Sequence, residues 1–153
     1  MAYVADVELA DDFDESIAEL DGLDLQKLNA AGERVYEPGK WTIKEIFQHI
    51  GDSERVLAYR ALRIGRNDKT ELPGFDEQLF GANVSVNRRS LKELSDELKL
   101  LRVSTKQLYA SFSDEALQRD LVINGNQMSA LAYGFTIIGH QKHHLRIIEE
   151  KYL

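Results

Sequence analysis

The chain has 153 residues, a length that suits one domain around one hydrophobic core. Apolar residues make up 43%, too many for a disordered chain, and a net charge of −7 disfavours non-specific nucleic-acid binding. The absence of cysteine excludes a disulfide framework, a thiolate zinc site and a cysteine nucleophile.

The acidic stretch from Met1 to Glu15 lacks the basic-then-apolar pattern of a signal peptide. No run approaches the roughly 18 apolar residues of a membrane span. A soluble cytoplasmic protein, with neither nucleic-acid nor membrane partner, is the expectation. With no internal repeat or interdomain linker, residues 1–153 read as a single domain, and residues 1–11 as a loosely ordered lead-in.

Phe13, Ile17 and Leu20 fall at i, i+4 and i+7 and predict a short first helix from about Asp12 to Asp21, ended by Asp21-Gly22. Leu25 and Leu28 add a further helical turn. Glu37-Pro38-Gly39 is a turn. Thr42 with Glu45 forms a capping-box pattern opening a helix to about Gly65, along Ile43, Ile46, Ile50, Leu57, Ala61 and Ile64. Asn67 to Gly74 is a polar loop, and Phe75 to Phe80 a single helical turn. Ser90 with Glu93 opens a helix to about Phe112, striped by Leu91, Leu94, Leu98, Leu101 and Leu108. Ser113-Asp114 restarts the chain, and Val122 to Asn126 reads as extended or turn. Ser129 caps a last helix reaching nearly to Leu153. Three long amphipathic helices and a shorter one predict an all-α four-helix bundle, with no alternating run to compete as strands.

The four histidines lie on two of these helices: His49 on one, His140, His143 and His144 on the last. Histidines at i and i+4 share a helix face, with Cβ atoms roughly 6 Å apart, so their imidazoles can share one ion. Turning about 100° per residue puts His140 and His144 on the face of Tyr133, Ile137, Ile147 and Ile148. His143 falls beside Arg146 and Glu150, facing out. His49 projects at the edge of the Ile46–Ile50–Leu57 stripe, near Ser53, Val56 and Arg60. These three histidines are candidate ligands for one divalent metal ion. Three imidazoles leave coordination positions open, as in reactive zinc sites. Zinc is the first choice, and nickel, iron or manganese are alternatives. Helical histidines are also common as surface residues or hydrogen-bonded core residues, and spacing alone leaves both readings open.

Other patterns say less. Gln141 stands where a zinc-protease helix carries its glutamate base, and an amide cannot take a proton. The Glu-x-x-His repeats of a di-iron bundle are missing from the last helix. Glu45 and Asp52, one turn either side of His49, are candidates to orient an imidazole or act as a base, against ordinary helix salt bridges with residues such as Arg55. Arg60, Arg63 and Arg66 form a basic row, of which Arg60 best shares the phase of His49 and is a candidate to guide an anionic substrate. Trp41, Phe75 and Phe80 line a pocket mouth or plug the core.

The segments Gly39-Lys40-Trp41-Thr42-Ile43-Lys44-Glu45 leading to His49, Asp52-Ser53-Glu54-Arg55, Tyr59-Arg60-Ala61-Leu62-Arg63 and Leu72-Pro73-Gly74-Phe75-Asp76 resemble the DinB-like superfamily, which includes YfiT-type metal-dependent hydrolases. So does the ending Gly139-His140-Gln141-Lys142-His143-His144 with Lys151-Tyr152-Leu153. The resemblance runs from about Tyr36 to Leu153; the acidic, briefly periodic Met1 to Arg34 departs from it. It implies an up-down-down-up four-helix bundle, usually a homodimer, with one histidine of the second helix and a His-x-x-x-His pair of the last as metal triad, here His49, His140 and His144. It also implies a thiol-dependent S-transferase, the metal activating a low-molecular-weight thiol such as bacillithiol, mycothiol or glutathione. The alternatives are a hydrolase using metal-bound hydroxide and a non-enzymatic dimeric metal-binding or stress-response protein.

Overall fold

The computed structural model describes residues 4–153. Four longer helices form the body: α1 (Val4–Asp21), α3 (Ile43–Gly65), α5 (Leu91–Ala110) and α7 (Ala130–Tyr152). Between them lie α2 (Leu25–Ala30), α4 (Glu77–Ala82), α6 (Asp114–Gln118) and a hairpin of β1 (Asp120–Ile123) and β2 (Asn126–Ser129). α3 packs on both α5 and α7, and α1 completes the ring against the same two helices.

A repeat of alternating four- and three-residue steps explains the packing. In α3 it runs through Ile43, Phe47, Ile50, Glu54, Leu57, Ala61 and Ile64, all buried. In α5 it runs through Leu91, Ser95, Leu98, Arg102, Thr105 and Tyr109, again all buried. Leu9, Phe13, Ser16 and Leu20 continue it in α1. Two apolar clusters result. One gathers Leu9 and Phe13 with Leu57, Ala61, Ile64, Tyr109, Tyr133 and Ile137. The other gathers Leu20 with Ile43, Phe47, Ile50, Leu91, Leu98, Ile148 and Tyr152.

Midway along the helices the same repeat places polar groups. Arg102, fully buried, donates from Nε and Nη2 to the Glu54 carboxylate at 3.0 and 3.1 Å and from Nη1 to Ser16 Oγ at 2.5 Å. Thr105 Oγ1 donates to Glu54 Oε1 at 2.8 Å. Gln141 Nε2 donates to the Ser16 carbonyl and to Glu19. All four main helices therefore meet in one polar layer. Buried charge survives there because the guanidinium fork and the carboxylate satisfy each other.

The structure departs from the sequence expectations in three places. α1 begins at Val4, about two turns before the expected Asp12, because Leu9 packs in step with Phe13; within the expected lead-in, residues 1–3 lie outside those described. The turn expected over Phe75 to Phe80 is displaced to Glu77–Ala82, capped by Asp76. The segment left as extended or turn is an antiparallel hairpin, so the fold is mostly rather than purely helical. Asn124 and Gly125 adopt positive φ (50° and 78°), the geometry of a tight two-residue hairpin turn. Leu121 and Ile123 point from it into the first cluster, and Leu72 pairs beside Ile123. Among the described residues, no helix is long and apolar enough to cross a membrane.

Candidate metal centre

The start of α3 is fixed by its cap. Glu45 N–H donates to Thr42 Oγ1 at 3.3 Å, and Thr42 N–H donates to Glu45 Oε2 at 2.7 Å. This sets the phase that turns His49 toward α7, where it is 4% exposed. On α7, His140 and His144 are half-buried on the facing side, and His143 is exposed. The structure thus brings His49, His140 and His144 together and leaves His143 outside, as the helical projection implied.

The three rings form a near-equilateral triangle. Centroids are 4.8 Å apart for His49–His140 and His49–His144, and 4.5 Å for His140–His144. His140 Nε2 lies 3.0 Å from His49 Nε2 and 3.1 Å from His144 Nε2. A neutral imidazole carries one N–H, so a single hydrogen on His140 Nε2 serves one of these contacts well and not both. A cation at the common point satisfies all three lone pairs. The spacing is close to the roughly 3.3 Å edge of a tetrahedron with Zn–N bonds of about 2.0–2.1 Å. The donor set therefore fits a divalent ion, and among the described residues no carboxylate joins the cluster.

Electrostatics keep these rings neutral. Burial pushes His49 below its ordinary pKa, opposed by the carboxylates of Glu77 and Asp52. Burial, then charge on His49, His143 and Arg102, pushes His140 down to about 4. Burial, then charge on His140, His49 and His143, pushes His144 down to about 3. At neutral pH all three present lone pairs, which metal binding requires.

The other candidates are engaged elsewhere. Glu45 is held in the helix cap. Asp52 accepts from Gln48 at 2.9 Å and lies 3.9 Å from Arg55, so it reaches His49 only through its field. Arg60 stacks over Phe75 and Tyr133, with 5.4 and 5.8 Å to the ring centroids. Arg63 pairs with Asp68 at 2.6 Å, and Arg66 donates to Ser111. Phe75 packs on Phe80.

Trp41 is drawn into the site. Its ring lies 4.4 Å from that of His49, and Tyr152 Oη donates to its carbonyl. α4 presses on it at Gly81, where a Cβ would come within 2.6 Å of Trp41 Cζ2. Beside His144 a cavity of ≈190 Å³ opens against Trp41 and Tyr152. A larger cavity of ≈440 Å³, at the start of α3, contains none of the histidines, and of its two glutamates, Glu33 and Glu45, the latter is committed to the cap. Sequence reasoning missed two charged features. Glu77, at the start of α4, stands near enough to His49 to act on it, but a contact from so short a helix has no periodic signature. The Glu54–Arg102 pair did have one: both residues interrupt apolar stripes at inward positions.

Comparison with known proteins agrees with this architecture. No curated protein matches the chain. The solved structure of YfiT from Bacillus subtilis, described as a probable metal-dependent hydrolase with an unusual four-helix bundle topology, is similar in fold. The two share 15% identity and a TM-score of 0.63, over 92% of this chain and 86% of that one. The model of the DinB superfamily matches residues 8–148, and the chain belongs to that superfamily.

Proposed function

We propose that this protein binds one divalent metal ion, zinc in the first instance, through Nε2 of His49, His140 and His144, and uses it to activate a low-molecular-weight thiol for transfer to an electrophile. The observation that carries this reading is the convergence of three imidazoles, 3.0 and 3.1 Å apart at His140, with no carboxylate in the cluster among the described residues. Bound there, the ion would supply the positive charge that holds a thiol as thiolate near neutral pH, its proton passing to solvent; the sulfur would bond to the acceptor carbon as that carbon's leaving group, chloride in a chlorinated aromatic, departs.

The bases expected for a hydrolytic water, Glu45 and Asp52, are occupied by Thr42 and Gln48. A thiol, with a free pKa of about 8.5, needs only a small lowering by the ion to be ionised near neutral pH without such a base. Three protein ligands leave positions open for it. Trp41 covers one side of His49 and limits water there, while the cavity beside His144 gives an approach.

The same reading takes the bundle as up-down-down-up. Supporting it, α1 and α7 run from the first apolar cluster toward the second, and α3 and α5 run the other way. It also takes the protein as a homodimer, which light scattering tests. The activity is tested by incubating zinc-loaded protein with a panel of thiols and a chlorinated aromatic acceptor. A metal-dependent conjugate lost in His140→Ala is expected; no conjugate with any thiol would refute the transferase reading.

A further inference from the structure

We propose that the cavity beside His144 is a binding subsite for a small planar aromatic compound bearing one anionic group, with a benzoate as the simplest example; its role as the acceptor site rests on the thiol-transfer reading.

The walls come from three parts of the chain. Tyr36 and Trp41 belong to the segment between α2 and α3, Ile46 to the first turn of α3, and Ile147 and Tyr152 to the end of α7. These walls hold one another in place. Tyr36 and Tyr152 meet edge to face at 5.5 Å, Tyr152 holds the Trp41 carbonyl, and Gly81 backs the indole. Flat ring faces with aliphatic side walls suit a planar apolar body.

The space is large enough for one ring: about 150 Å³ takes benzene, and this cavity holds ≈190 Å³. Charge selects the substituent. Lys40 is the cationic side chain at the cavity, its Nζ 5.7 Å from the Tyr36 centroid, and Gln78 adds an amide beside it. No carboxylate lines the space among the described residues. An anionic group therefore finds a partner here, and a cationic one finds Lys40 in its way. His144 also lines the space, so an occupant lies beside the triad.

Trp41 is the only tryptophan in the chain, so occupancy can be read from its emission without any activity assay. Benzoate and benzylamine are titrated separately into zinc-loaded and metal-free protein, excited at the red edge of the tryptophan band where neither absorbs. Saturable change with benzoate is expected in both forms, with benzylamine binding weaker by about tenfold or more. Lys40→Glu, a change at an exposed side chain, weakens benzoate by about tenfold or more. Ile147→Phe, which fills the space, abolishes the response. If circular dichroism shows that Ile147→Phe fails to fold, Lys40→Glu and the benzylamine comparison decide. The inference is overturned by no saturable change, by equal binding of the two probes, by unchanged affinity in Lys40→Glu, or by binding confined to the zinc-loaded form, which marks direct coordination to the ion. Metal content measured on the same samples separates the two readings. Protein that holds zinc but ignores benzoate loses this inference alone, and protein that binds benzoate but no zinc loses the metal reading alone.

Discussion

Replacing Arg102 by methionine removes the cation from the polar layer and keeps most of the volume. Glu54, 2% exposed, then loses two guanidinium hydrogen bonds of 3.0 and 3.1 Å and keeps only Thr105. Breaking a buried ion pair by removing one partner costs about 3–5 kcal/mol, because the other charge stays buried and uncompensated. Domains of this kind have total stabilities of roughly 5–15 kcal/mol, so the loss is a large share of the total. At about 2–4 °C per kcal/mol for a chain of this size, the melting temperature falls by about 6–20 °C. Urea denaturation followed by circular dichroism measures the difference. The double variant Glu54→Leu with Arg102→Met removes both charges and is expected to recover to within about 1–2 kcal/mol of the parent. A loss below about 1 kcal/mol in the single variant would refute the claim that the pair is buried and mutually dependent. A double variant as unstable as the single would show that packing, not orphaned charge, carries the cost.

Two further outcomes follow from the site. In metal-free protein the unfolded chain takes up protons on its histidines below about pH 6.5. Folded His140 and His144 stay neutral until about pH 4 and 3. The unfolded state therefore binds more protons in that window, and stability falls as pH drops through it. Urea midpoints at neutral and mildly acidic pH should show a steeper loss in the parent than in a His140→Ala, His144→Ala double variant; equal slopes would contradict the assignment. Gly81→Ala sets a Cβ within 2.6 Å of Trp41 Cζ2, and overpacking of this kind costs about 1–3 kcal/mol. Its indole emission should shift as the ring leaves His49, and unchanged emission and stability together would count against the close approach.

Much of the bundle is legible in the sequence because helix periodicity and caps are local. Thr42 with Glu45 and Ser90 with Glu93 form capping boxes at the expected positions. The relation between His140 and His144 is also local, since four residues make one helical turn. His49 is different: its meeting with α7 depends on packing across the bundle, and the projection could place it only on an inward edge. The early turns of α1 are not legible because acidic residues interrupt its stripe, while Leu9 and Phe13 are buried through contacts with distant helices. The hairpin is obscure in the sequence because its strands are four residues each, too short for alternation to stand out, although Asn124-Gly125 carries the turn signal. The polar layer is hidden in the sequence because Glu54, Arg102 and Gln141 occupy gaps in otherwise apolar stripes.

The central claim is that three imidazoles from two helices hold one ion. Elemental analysis after zinc loading and exhaustive dialysis tests it most directly, with the parent beside His49→Ala, His140→Ala, His144→Ala and the exposed-site control His143→Ala. One zinc per chain is predicted in the parent and in His143→Ala, and none in the other three. No zinc in the parent, or full occupancy in His140→Ala, would contradict it.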